Sequence, residues 1–264
     1  MLGQIIRDIF SASKHRASNN QGAAPKAPAY PGFDDNPLTE YFFNHAGPVV
    51  HKWRNYFEIY HRHLQGFRNK APVIVEIGVA QGGSLPMWHH YFGEGTKVVG
   101  VDIDPACRRF EGGATTILIG DQADRGFLAT LRERAPRIDI LIDDGGHTME
   151  QQIATFEKIY LHIQPDGIYV CEDMHTSLWS HFGGGYRRPG TFFEYTKGLV
   201  DKLFSWHSRD PAAFTVDDFT LMTHGIRFYD SVVVIEKCRM EPPEQIESSA
   251  TANKTLRNLP PPPP

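Results

Sequence analysis

The chain predicts an α/β fold, a Rossmann-like doubly wound and mostly parallel seven-stranded sheet closed by a C-terminal antiparallel hairpin. Three observations predict it. Short runs rich in Val and Ile alternate with segments of helical spacing, which implies right-handed crossovers and parallel strands. Those runs are apolar almost throughout, as strands covered on both faces must be. Late in the chain, "FTLMTHGIRFYDSVVVIEK" holds two strand-like runs with no helix-length segment between them.

The elements follow in order. Leu2, Ile5, Ile6, Ile9 and Phe10 keep helical spacing, and Arg7 and Asp8 interrupt the stretch too early for a secretory signal. This predicts an N-terminal helix that packs on its own domain or on a sister subunit. Residues 11 to 33 are rich in Ser, Asn, Ala, Gly and Pro and read as linker. Upstream of the sheet, Trp53, Phe57 and Tyr60 share one helical face, with His51, His61 and His63 at a pocket edge. The strands are "VIVEIG" (73–78), "VVGVDI" (98–103), "TTILIG" (115–120), "IDILIDD" (138–144), "IYVCED" (168–173) and "SVVVIEK" (231–237). Leu85, Trp88 and Phe92 mark one intervening helix; Ile153, Phe156, Ile159 and Tyr160 mark another. The organisation is therefore residues 1–35 as helix and flexible linker, 36–238 as the working domain, and 239–264 as a disordered Pro-rich tail.

Composition narrows the function. Of 264 residues, 41% are hydrophobic and 22% charged, a soluble globular balance. A net charge of -4 offers no basic surface for nucleic acid. No apolar run approaches the roughly 20 residues of a membrane span. Cys107, Cys171 and Cys238 lack CxxC spacing, which leaves no zinc or disulfide framework and fits a reducing, cytoplasmic setting.

In a doubly wound sheet, ligands sit beyond the carboxyl ends of the strands, and acids gather at those ends here. "VEIGVAQGGSLPMW" turns through Gly78, Gly82 and Gly83 before Ser84 and Pro86 start a helix. The spacing of Gly78, Ala80 and Gly83 loosely satisfies a dinucleotide fingerprint, but Glu76 opposes a pyrophosphate and suits a ligand bearing a sulfonium and an ammonium. Asp102 is placed for a ribose diol, and Asp121 with Gln122 for an adenine edge. "LIDDGGHTMEQQ" ends the fourth strand in Asp143 and Asp144, and Glu172 with Asp173 ends the fifth. Neighbouring strands lie about 4.8 Å apart, so Asp144, Glu172 and Asp173 converge and repel unless a cation joins them. Oxygen donors that leave room for water suit Mg2+. His147, three residues past Asp144, is suited to remove a proton from an alcohol.

"VEIGVAQGG", "GVDIDP", "IGDQAD", "LIDDGGHTMEQQ", "GIYVCEDMHTSLW" and "GTFFEYTKGLVDKL" resemble the class I S-adenosylmethionine-dependent O-methyltransferases of macrolide and rhamnosyl sugars. The cephalosporin-biosynthesis methyltransferase belongs to the same group. The resemblance spans roughly residues 36 to 238. It implies that Glu76, Gly78, Gly82 and Ser84 line the methionine end of the cofactor, Asp102 the ribose, and Asp121 and Gln122 the adenine. Asp143 would lie near the cofactor's amino group. It implies Mg2+ on Asp144, Glu172 and Asp173, a base in His147, a small-molecule sugar or polyketide-type acceptor, and a homo-oligomer. His175 is a second candidate at the site, and Trp179, Tyr186 and Arg187 lie on a Gly-rich loop placed to close over a ligand. A catechol acceptor satisfies the same metal logic as a sugar diol. A dinucleotide dehydrogenase and a non-catalytic binding module are the other classes; protection by S-adenosylmethionine but not NAD separates the first, and a labelled-methyl assay the second.

Overall fold

The computed structural model describes residues 36–210, 212, 214–248 and 253–256. The expected N-terminal helix, the linker and the terminal prolines lie outside the described residues. Asn36 opens α1 (Pro37–Asn44) by accepting the Leu38 amide on its side chain, and α2 (Tyr56–Leu64) follows after a loop. The sheet then builds with helices between most strands: β1 (Val73–Ile77), α3 (Ser84–Phe92), β2 (Lys97–Asp102), a 3-10 turn (Pro105–Phe110), β3 (Thr115–Ile119), α4 (Arg125–Arg134), β4 (Ile140–Asp143), α5 (Met149–Ile159) and β5 (Ile168–Cys171). It finishes with α6 (Phe192–Leu203), α7 (Asp218–Met222), β6 (Thr223–Tyr229) and β7 (Val232–Lys237).

The seven strands run in the order β3-β2-β1-β4-β5-β7-β6. The pairs among β1 to β5 are parallel, whereas β7 is antiparallel to both β5 and β6. The chain order therefore reverses between β1 and β4, and the crevice beyond their carboxyl ends is where such sheets take ligands. Period-2 alternation of the strands feeds two cores. Ile74, Val98, Ile140 and Val170 pack against α1, α2 and α3 on one face. Val75, Val99, Leu141 and Tyr169 pack against α4, α5, α6 and α7 on the other. Trp88, Tyr56 and Tyr60 are among the largest fully buried side chains, so much of the first core is aromatic.

Two expectations are corrected. Trp53 lies ahead of α2 and is 45% exposed, while Phe57 and Tyr60 are buried; the loop "KWRN" carries the indole off the helical face. The tail is not without structure throughout, because β8 (Gln245–Ser248) and β9 (Asn253–Leu256) form an antiparallel pair. Gln245 to Ser248 are fully on the surface, so backbone hydrogen bonding rather than burial joins the two segments. No helix among the described residues is long and apolar enough to cross a membrane.

Candidate active site

The site begins where β1 and β4 end. Gly78 has φ +98°, and a Cβ there would sit 1.9 Å from the Asp144 carbonyl oxygen. Only glycine lets the two strand ends pass this closely. Gly82 has φ +76° and lies against the Phe110 ring, and a Cβ on Gly83 would meet the Val49 carbonyl at 2.2 Å. The glycines thus serve three different close approaches.

Asp102 fastens this loop. Its Oδ2 accepts the Val79 and Ala80 amides, both at 2.9 Å, and its Oδ1 accepts the Asp104 amide. Asp121 is exposed at the end of β3, with Oδ1 accepting the Ala123 amide. Glu76, Ser84, Gln122 and Asp143 point inward instead. Glu76 is fully buried and accepts the Ser84 hydroxyl at 2.7 Å and the Trp88 indole N–H at 3.1 Å. Gln122 donates to Asp143 Oδ1 and Thr155 Oγ1, and its carbonyl accepts the Gly146 amide at 3.0 Å. Tyr169 donates to Asp143 Oδ2 at 3.1 Å. Burial pushes the Asp143 carboxyl up to about 7, against the pull of His147, Tyr169 and Gln122. Glu76 with Ser84 and Trp88, and Asp143 with Gln122 and Tyr169, thus form two separate buried polar groups, one on each face of the sheet.

Gln122, through the Gly146 amide, steadies the loop carrying Asp144 and His147. Thr148 and Gln151 form a reciprocal cap at the start of α5, which fixes the chain just after His147. His147 itself has φ +57°, an uncommon conformation for a non-glycine residue. It brings Nε2 to 3.4 Å from Asp173 Oδ2 and 3.8 Å from Asp144 Oδ1. Asp173 is likewise left-handed, at φ +53°, directly after β5. One donor atom each from Asp144, His147 and Asp173 falls within 4.8 Å of the others. His147 Nδ1 is buried without a hydrogen-bond partner.

Glu172 lies in the same acid group but faces away from His147. It accepts the Tyr60 hydroxyl and takes the Lys52 ammonium on both oxygens at 2.9 Å. Lys52 also pairs with Asp144 Oδ2 and is 3% exposed. Burial opposes its charge, but Asp144, Glu172 and Glu76 outweigh that and hold the ammonium above its ordinary value. Tyr56 donates to Asp173 Oδ1 at 2.7 Å. Burial alone would raise the Asp173 carboxyl, yet His147 and the Tyr56 bond bring it below its usual range.

The predicted metal set is therefore divided: Asp144 and Asp173 meet His147, while Glu172 meets Lys52. Lys52 and Tyr56 carried no spacing signal in the sequence, and the helical spacing of Tyr60 pointed only to packing; the surplus of strand-end carboxylates was the one hint that a buried cation should exist. His175 bonds Ser231 Oγ, which in turn bonds the Tyr56 hydroxyl oxygen, so it adjoins the cluster. Its ring lies 4.6 Å from Trp179 and 6.0 Å from Trp53. Tyr186 is 80% exposed, and the Gly184 and Gly185 amides tie its loop to the Trp179 and Ser177 carbonyls. His61 and His63 pair elsewhere, with Tyr91 and with Glu236 and Tyr229.

The methyltransferase-domain family matches residues 75–174, the stretch from β1 to just beyond Asp173. The demethylmacrocin O-methyltransferase of Streptomyces fradiae is 29% identical over 273 residues, covering 89% of this chain and 68% of its own. The chain is similar to the O-methyltransferases of the macrolide and rhamnosyl sugar group. Within this group, the 8-demethyl-8-alpha-L-rhamnosyl tetracenomycin-C 2'-O-methyltransferase of Streptomyces olivaceus is 34% identical, over 70% of this chain and 51% of its own. The solved MycE methyltransferase of mycinamycin biosynthesis, in complex with Mg, SAH and mycinamycin VI, superimposes with a TM-score of 0.66 at 29% identity. That match covers 80% of this chain and 54% of MycE. This methyltransferase domain spans about half to two thirds of the length of these relatives.

Proposed function

We propose that this methyltransferase moves a methyl group from S-adenosylmethionine to a hydroxyl of a sugar-bearing small molecule, with the help of Mg2+. The observation that carries the reading is the convergence of Asp144, His147 and Asp173 within 4.8 Å at the crevice beyond β4 and β5. The relative named for a rhamnosyl tetracenomycin acceptor supports the substrate class.

The residues fit both groups. Asp144 Oδ1 and Asp173 Oδ2 are hard oxygen donors facing one another across His147, in a carboxylate cluster that also holds Glu172. When bound, magnesium lowers the pKa of a coordinated hydroxyl. The turn through Gly78 and Gly82 and the acids Asp102 and Asp121 offer backbone approach and polar edges to the cofactor, whose sulfonium supplies the electrophilic methyl. Glu76, Ser84, Gln122 and Asp143 support that surface from beneath.

His147 performs the proton transfer in this reading. Its Nε2 faces the carboxylates, accepts the acceptor's hydroxyl proton, and the resulting imidazolium is stabilised by Asp173 at 3.4 Å. Tyr56 holds Asp173 in that orientation. Trp53, His175 and Trp179 give an aromatic wall beside the acids, suited to the apolar face of a sugar ring. The test is methyl transfer from labelled S-adenosylmethionine to a panel of rhamnosides, other deoxysugar glycosides and catechols, with and without chelator. Transfer to a glycoside that chelator abolishes and Mg2+ restores is expected, and His147→Ala should lose at least about 100-fold in turnover while cofactor affinity holds within threefold. Unchanged turnover in the variant removes the base; transfer to catechols alone overturns the sugar assignment.

A further inference from the structure

We propose that Lys52 is a tethered cation that shares the acid cluster with the divalent ion and weakens the ion's binding. The inference rests on the metal reading of that cluster. The segment before α2 is a loop, where a lysine would ordinarily extend into water. Here its side chain is 3% exposed and its ammonium touches three carboxylate oxygens, one on Asp144 and two on Glu172.

The placement is built in two steps. Backbone at Pro48 and Val49 seats directly on Gly83, with no room for a Cβ between them, so the loop enters the site at a fixed height over the glycine turn. The Tyr60 hydroxyl, from α2, then fixes the Glu172 carboxylate opposite the ammonium. Asp144 is the shared member: Oδ2 goes to Lys52 and Oδ1 faces His147. A divalent ion on the Asp144–His147–Asp173 side must therefore take a carboxylate already partly neutralised by an ammonium, and two cations on one carboxylate repel. Lys52 touches no reacting atom; it is a positioning residue that also keeps the cluster intact before an ion arrives.

The test is Mn2+ binding to the full chain, followed by the electron paramagnetic resonance signal of the free ion at pH 8. Lys52→Met should bind Mn2+ at least tenfold more tightly than wild type, whereas Lys52→Arg should stay within threefold. In chelator, Lys52→Met should melt below wild type and gain more from added Mn2+. If Lys52→Met does not fold, Lys52→Gln, which keeps hydrogen bonding without charge, should show the same tightening. Mn2+ binding in both neutral variants equal to or weaker than wild type overturns the proposal. The absence of any Mn2+ binding in wild type and variants alike would instead sink the metal reading on which it rests.

Discussion

Gly78 shows how one residue fixes the site. Its φ of +98° already disfavours any side chain, and an added methyl would overlap the Asp144 carbonyl. Because that carbonyl belongs to backbone, no rotamer change relieves the overlap. Gly78→Ala is expected to cost at least about 3 kcal/mol in denaturant unfolding. Gly198→Ala, exposed in α6 with nothing within 4 Å of the added atom, should instead stabilise by roughly 0.5–1 kcal/mol. Equal effects at the two positions would show that the close approach is not what selects glycine at 78. At this scale the sequence was partly legible. The density of Asp143, Asp144 and His147 at a strand end marked the site. Which carboxylate turned inward depended on Gln122 and Tyr169, residues far apart in the chain, and no local spacing encodes such a partnership. Lys52 was illegible for the same reason, since its partners lie 92 and 120 positions away.

At the scale of elements, α5 and β5 present the site from both sides, and their connection has an unusual fastening. Lys237, at the end of β7, is 4% exposed and donates its ammonium to the Tyr160, Leu161 and Ile163 carbonyls. Those carbonyls close the chain after α5, where a cation complements the helix's negative end. Burial lowers the Lys237 ammonium to about 8. Lys237→Met should therefore cost roughly 2–4 kcal/mol, because several buried carbonyls lose their donor at once. Lys237→Arg should recover part of that loss. Equilibrium unfolding measures both, and a Met variant as stable as wild type would mean that water serves these carbonyls equally well. The strand pattern made β1 to β5 and β7 readable to within a few residues, because a short continuous apolar run is a local signal. The tail pair β8 and β9 was not readable, since β8 buries no apolar face and offers no local pattern.

Across the whole molecule, the parallel sheet collects acids at one end, and three of them are buried: Glu76, Asp143 and Glu172. Burial pushes each above its ordinary value, Asp143 from 3.8 to about 7. Between those two values the native state retains a proton that the unfolded chain has released. The Asp143 contribution to folding stability then falls as pH rises from about 4 through 7, the reverse of the trend set by salt-bridged carboxylates such as Asp173. For Asp143 alone the loss is capped at roughly 4 kcal/mol, at about 1.4 kcal/mol per pH unit. Asp143→Asn removes the titration while keeping the contacts, because its carbonyl can accept from Gln122 and its amide can donate to the Tyr169 oxygen. In chelator, its melting temperature should decline less steeply than wild type between pH 4.5 and 7.5 and exceed it at the upper end. Parallel curves would show that Asp143 is ionised throughout this range, and the cost of gathering acids at the crevice would then fall on Glu172 and Glu76. Gathering carboxylates at one end of the sheet costs stability near neutral pH, and the ammonium of Lys52, paired with Asp144 and Glu172, offsets part of that cost.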